Sequence, residues 1–168
     1  APEFVFVPNK LNLHELTAAY DLAGESGCRA FVTGPMMRLG RAAEGWAELA
    51  PSEDEWNRAR TALEERAARG GPKLALYPWD ILTEMKVRLE SPQAMMLVVP
   101  DGKVKLLNAL PFAPADLRKQ SLHEAWEAYK AAWTSGEVRD FIARAQDDPS
   151  LLRHANETWP MGAWAARR

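Results

Sequence analysis

Phe4-Val5-Phe6-Val7, the connection Pro8-Asn9-Lys10-Leu11, the segment Asn12-Leu13-His14-Glu15-Leu16, and then Ala30-Phe31-Val32-Thr33 together set the class of fold. The first and last of these are short apolar runs rich in β-type residues, so each predicts a strand. Between them, Leu13, Leu16, Tyr20 and Ala23 recur at helical spacing. Asn12 reads as an N-cap answered by Glu15 three residues on, and Gly27 supplies a left-handed stop. Strand, helix and strand in so short a span predict a βαβ unit with parallel strands and a right-handed crossover.

Downstream, residues 34–51 read as a loop. Ser52 and Glu55 then form a capping box for a helix whose apolar stripe is Trp56, Ala59, Leu63 and Ala67, ended by Gly70 and Gly71. Residues 74–77 predict a third strand. Residues 80–89 predict a helix, with Ile81, Leu82, Met85 and Leu89 on one side. The register then changes. Residues 95–99 and 104–107 are β runs joined through Pro100-Asp101-Gly102, and Asp-Gly between apolar runs predicts a tight hairpin because glycine supplies the positive φ. After a loop over 111–120, Ser121 and Glu124 make another capping box, with Leu122, Trp126, Tyr129 and Trp133 expected on the buried face. A last helix over 137–146 turns Val138, Phe141 and Ile142 inward. Residues 147–168 are expected to be a tail, whose Trp159 and Trp164 need a partner surface or stay loosely packed.

Composition narrows the function classes. The 168 residues are 47% hydrophobic and 26% charged with a net charge of −2, ordinary for a soluble globular chain. Lys and Arg are scattered rather than striped, which argues against a nucleic-acid partner. No apolar run reaches the ~20 residues a membrane span needs, and no signal peptide is evident. One cysteine, Cys28, excludes an internal disulfide and any multi-thiolate site, and fits a cytoplasmic location. Ala1-Pro2-Glu3-Phe4 runs directly into a strand, so an expressed fragment is expected.

No complete catalytic constellation is visible. His14, His123 and His154 share no metal-ligand spacing, and no nucleophile elbow, Walker loop or GxGxxG occurs. Cys28 reads as a small buried hydrophobe. Gly34-Pro35 and Gly40-Arg41-Ala42 are the most suggestive loop residues, since they follow the C-terminal end of a predicted parallel strand, where α/β folds place ligands. Arg41 is suited to a carboxylate or to an adenosine ligand. On residue physics alone, a turn glycine beside a surface arginine is the favoured account of them. Trp56, Trp126 and Trp133 have the spacing of packing residues rather than of a stacking platform.

Read in order, these pieces resemble the radical SAM enzymes. Val5-Phe6-Val7-Pro8-Asn9-Lys10-Leu11-Asn12-Leu13-His14-Glu15-Leu16 looks like a late strand and helix of the partial barrel of that family. Gly34-Pro35 and Gly40-Arg41-Ala42 resemble its proline and Gly-Arg-Ala loop. Val98-Val99-Pro100-Asp101-Gly102-Lys103-Val104 looks like the hairpin of a SPASM or twitch accessory domain, and Asp116-Leu117-Arg118-Lys119-Gln120-Ser121-Leu122-His123-Glu124-Ala125-Trp126 is similar to the segment after it.

The resemblance implies an α/β fold: a partial parallel (β/α) barrel segment, then an antiparallel β-hairpin and C-terminal helices. Residues 1–90 would be barrel, 91–146 the accessory domain and 147–168 the tail. It implies a parent enzyme that uses S-adenosylmethionine and a [4Fe-4S] cluster for radical chemistry, with a peptide or natural product as substrate. Asn12, Gly34, Pro35, Gly40 and Arg41 would border the S-adenosylmethionine pocket. The CxxxCxxC motif of the family is absent here, so the expected partner is a missing N-terminal half of the barrel. Leu106, Leu107 and Asn108 stand where accessory cysteines would, so no metal or cofactor is expected on this chain. A strand edge at Phe4–Val7 that lacks lysine is expected to promote self-association. A second reading is a non-enzymatic module that presents a sheet edge to a peptide.

Overall fold

The computed structural model describes residues 1–77, 80–92 and 95–167. The chain is mixed α/β and divides into two compact units, residues 1–37 with 45–80, and residues 38–44 with 81–168. This grouping differs from a division after residue 90: the helix over 81–90 belongs with the residues that follow it.

The first unit is built on three parallel strands, β1 (Glu3–Val5), β2 (Ala30–Thr33) and β3 (Lys73–Leu76), in the order β1-β2-β3. Phe4 pairs with Phe31 and Phe31 with Leu74, so these three share one face. Two helices cover that face: α1 (Leu16–Glu25) and the longer crossover helix Glu53–Ala67. Leu16, Tyr20, Ala23, Phe31 and Leu63 are its buried core, with Phe4, Phe6, Leu13, Trp56, Leu74 and Leu76 packed against them. Phe31 is the hub. Its ring stacks on Phe4 at 5.7 Å between centroids and meets the edge of Tyr20 at 5.5 Å, arrangements that aromatic quadrupoles favour. The Tyr20 hydroxyl satisfies itself by donating to the Pro72 carbonyl at 2.7 Å.

Several local expectations are corrected. β1 is shorter and earlier than Phe4–Val7, although the Phe6 N–H still donates to the Val32 carbonyl at 3.0 Å. Asn12 does not cap. A 3-10 turn, Leu13–Glu15, precedes α1, and the Asn12 amide is used inside its own loop: Oδ1 accepts the Asn9 N–H at 2.7 Å and Nδ2 donates to the Val7 carbonyl at 3.2 Å. Side-chain–backbone bonding of this kind competes with capping. The expected loop over 34–51 holds two four-residue helices, α2 (Arg41–Glu44) and α3 (Trp46–Leu49). The crossover helix, α4 (Glu53–Ala67), carries the expected capping box: Ser52 Oγ accepts the Glu55 N–H and Glu55 accepts the Ser52 N–H.

The second unit contains α5 (Ile81–Glu90) and an antiparallel sheet of β4 (Leu97–Val98), β5 (Lys103–Lys105) and β6 (Ala115–Asp116). The Pro100-Asp101-Gly102 turn forms as the sequence predicts, with Gly102 at φ 81°. β6 lies in a stretch read as loop, because two residues are too few to show alternation. α6 (Leu122–Trp133) has the expected capping box at Ser121 and Glu124. Its buried residues are Ala125, Tyr129, Ala132 and Trp133, whereas Leu122 is exposed, which corrects the expected stripe by part of a turn. α7 (Gly136–Asp147) buries Val138, Phe141, Ile142 and Ala145.

Residues 147–167 are not a loose tail. Pro149–Asn156 form a 3-10 segment that buries Leu152 and Ala155, and Trp159 and Trp164 are both buried. Trp159 backbone groups bond to Pro111 and Ala113 at 2.6 and 2.7 Å, and its ring meets Phe112 and Phe141 edge-on. The indole N–H groups are satisfied by acids, Trp159 by Glu157 and Trp164 by Asp140, each at 2.6 Å. Buried tryptophans need such acceptors. No helix among the described residues is long and apolar enough to cross a membrane.

Candidate functional site

The alternation of β5 places Val104 on one face and Lys103 and Lys105 on the other. Val104 is fully buried, as a core residue should be. The opposite face is not open to solvent, because residues 155–158 cross it. Lys103 Nζ donates to Thr158 Oγ1 at 2.9 Å and pairs with Asp101 at 2.8 Å. Lys105 goes deeper: it is only 4% exposed, and its Nζ donates to the Ala155 carbonyl. It is the one buried charged side chain among the described residues, and it forms no ion pair there. Burial without a compensating carboxylate pushes the Lys105 ammonium below the usual lysine range.

Lys105 and Ala155 line a pocket of about 480 Å³ whose other walls are Leu97, Val99, Pro100, Asp101, Asn108, Asn156 and Thr158. Leu97, Val99 and Pro100 make an apolar side; Asn108, Asn156, Thr158 and Lys105 make a polar one. The Asp101 carboxylate is already held by Lys103 and by the Lys103 backbone N–H, which keep it below the usual aspartate range. A glycine fixes one wall from outside. Gly40 has φ 51°, its N–H donates to the Leu152 carbonyl at 2.9 Å, and a Cβ there would collide with the Asn156 amide. The Gly40-Arg41 loop is thus packed on the 3-10 segment that supplies Ala155 and Asn156.

The sequence-predicted site residues fall in both units. Asn12, Gly34 and Pro35 are in the first. Gly34 closes β2 where no side chain fits: a Cβ would lie 2.7 Å from Tyr77 Cβ, while the Tyr77 N–H donates to the Thr33 carbonyl at 2.9 Å. Thr33 beside it is buried, and its hydroxyl finds no partner among the described residues. Gly40 and Arg41 are in the second unit; Arg41 is exposed on α2. Cys28 is half-buried against the first unit's core. His14 and His123 are exposed, and His154 contacts Glu157 at 2.5 Å.

Lys105 was missed by sequence reasoning. A Lys-Val-Lys strand reads as a solvated face, and the residues that cover it were read as tail. The signal lay in those residues: two tryptophans within 159–164 do not stay in water at no cost. Comparisons of the chain with family models, with curated proteins and with solved structures find no match in any of the three.

Proposed function

We propose that the chain is the C-terminal part of a radical SAM enzyme, a segment of partial barrel with a cysteine-free accessory unit, whose parent acts on a peptide or related substrate. The observation that supports this most is that, among the described residues of the first unit, both long helices pack on one face of the parallel sheet. α1 and α4 both pack on the Phe31 face; on the other, Val5 is 63% exposed, Val32 and Ala75 are half-buried and Ala30 is buried. Parallel sheets normally bury both faces. Helices on one side only is what a barrel wall requires. The Pro-Asp-Gly hairpin and the Ser121-capped helix follow in the expected order.

The implied groups divide on fit. A [4Fe-4S] cluster needs several thiolates, and Cys28 alone, packed against a core, does not fit it; its ligands would lie outside this sequence. A polar ligand at the end of β2 fits through one group, the buried Thr33 hydroxyl, which lacks a partner among the described residues, while Tyr77 fills the space beside Gly34. Bound S-adenosylmethionine supplies the radical chemistry. Gly34 and Pro35 would border it at the end of β2, and Asn12 holds its own loop in shape. Gly40 sets the start of the Arg41 helix.

The test is to express the reading frame that contains this chain, reconstitute it anaerobically, reduce it and assay 5′-deoxyadenosine. Formation of 5′-deoxyadenosine, with a raised KM for S-adenosylmethionine in Gly34→Val, is the expected result. A frame with no CxxxCxxC triad, or no product after reconstitution, overturns the reading. A peptide-binding module remains the second reading. Its support is β4, an edge strand with Leu97 and Val98 exposed, near a groove lined by Met96, Leu122, His123 and Trp126.

A further inference from the structure

We propose that the pocket around Lys105 is a binding site for a carboxylate carried on an apolar body, with Lys105 as its counter-ion. This goes beyond the reading above and does not rest on it, since every residue involved lies within residues 97–158.

An ammonium has three donors, and Lys105 Nζ spends one on the Ala155 carbonyl. No carboxylate among the described residues reaches it. The acid that lines the same pocket, Asp101, is committed to Lys103. Asp101 and Lys103 therefore offset one another, and the pocket keeps the charge of Lys105. A buried, unpaired cation is costly to hold, and a protein can retain one at a place where a ligand supplies the missing charge.

The rest of the wall has the same polarity. Asn108 and Asn156 make no side-chain hydrogen bond among the described residues, so their NH₂ groups can donate. Thr158 Oγ1 accepts from Lys103, which leaves its own hydrogen to donate. Ammonium, amides and hydroxyl are all donors, the complement of an oxyanion. Opposite them, Leu97, Val99 and Pro100 offer an apolar surface, and about 480 Å³ is a volume typical of small-ligand sites. Charge, donors and apolar wall together select a carboxylate attached to a hydrophobic group. Two sources carry that chemistry: the C-terminus of a peptide ending in an apolar residue, and a free arylalkyl or branched-chain acid.

The experiment titrates the full chain by calorimetry with 3-phenylpropanoate, its amide, and an acetylated Ala-Ala-Phe peptide with a free or an amidated C-terminus. Each acid is expected to bind at least about tenfold more tightly than its amide, as charge-assisted bonds to a buried cation require. Lys105→Met should abolish that preference. If that variant fails to fold by near-ultraviolet circular dichroism, Asn156→Ala at an exposed position carries the test and should weaken the acid severalfold. Tighter binding of the peptide acid identifies a peptide terminus as the occupant, and tighter binding of 3-phenylpropanoate a free acid; both support the site. Equal affinity for acid and amide, no binding at millimolar concentrations, or a preference unchanged in the variants overturns it. Because no cluster or S-adenosylmethionine is present, this result is independent of the radical reading.

Discussion

Gly40 is pressed against Asn156 so closely that no side-chain carbon fits between them. Two separate costs follow for Gly40→Ala. The residue sits at φ 51°, and an alanine in that left-handed region costs roughly 1–2 kcal/mol. The new Cβ also displaces the Asn156 amide from the pocket wall. The expected outcome is a lower midpoint in urea together with weaker binding of the acid probes. The double variant Gly40→Ala, Asn156→Gly separates the costs: it should regain the part due to collision and keep the part due to φ. No recovery would mean that Asn156 is not what Gly40 makes room for.

Lys105 destabilises the fold in a way that can be read against pH. Its pKa is lowered in the folded state from 10.5, first and only because of burial. The unfolded chain therefore binds the proton more readily, and stability rises as pH climbs toward and past 10.5. Below the folded pKa the penalty is fully present. Lys105→Met keeps the length and removes the charge, so it should stabilise the chain at neutral pH by about 1 kcal/mol or more. The advantage should shrink in the alkaline range. Urea midpoints of both proteins from neutral to pH 10.5 make the measurement, and a variant less stable than the parent at neutral pH would contradict the unpaired state of the ammonium.

Glu157 gives the opposite dependence. It holds His154 Nδ1 at 2.5 Å and the Trp159 indole at 2.6 Å, and these bonds, His154 first, keep its carboxyl below the usual glutamate value of 4.5. A depressed acid contributes stability that is present above the unfolded value and lost as pH falls through the folded one. Glu157→Gln should thus lower the melting temperature above pH 4.5, and the gap to the parent should close on further acidification. A gap that stays constant below pH 4.5 would assign the effect to side-chain shape instead.

The legible parts of this fold were those written in local chemistry. Ser52 with Glu55, Ser121 with Glu124, and Asp101 with Gly102 each encode a bond or a backbone angle within three residues, and each forms. The parallel pairing of Phe4 with Phe31 followed from a helix between two short apolar runs. What was hidden depends on contacts across long separations. Asn12 has the identity of a cap, yet Asn9 and Val7 take its amide. Lys105 has the pattern of a solvated residue, and only a segment fifty residues later buries it. The pocket was therefore out of reach, while Gly40, half of the Gly-Arg pair singled out from sequence, turns out to buttress one of its walls.

β1 lies at the edge of its sheet. It pairs on one side with β2 through Glu3, Phe4 and Val5, and among the described residues no strand pairs with its other side. Val5 and Val7 are each 63% exposed. The charges near this edge, Glu3 and Arg29, are spent on one another at 2.7 Å. An edge with free backbone groups, apolar side chains and no lysine is a template for another chain. The shortness of the strand limits this but does not remove it, because the Phe6 N–H extends the pairing register past Val5. The full chain is expected to self-associate as concentration rises, its mass by light scattering growing beyond that of a monomer. Val5→Lys places a charge at the exposed edge, where burial on folding is small, so stability should change by no more than about 0.5 kcal/mol. That variant should remain monomeric over the same range. A parent chain that is monomeric throughout, with the variant indistinguishable from it, would show that this edge is already protected, and the one-sided sheet would then have lost its place in the argument for a barrel wall.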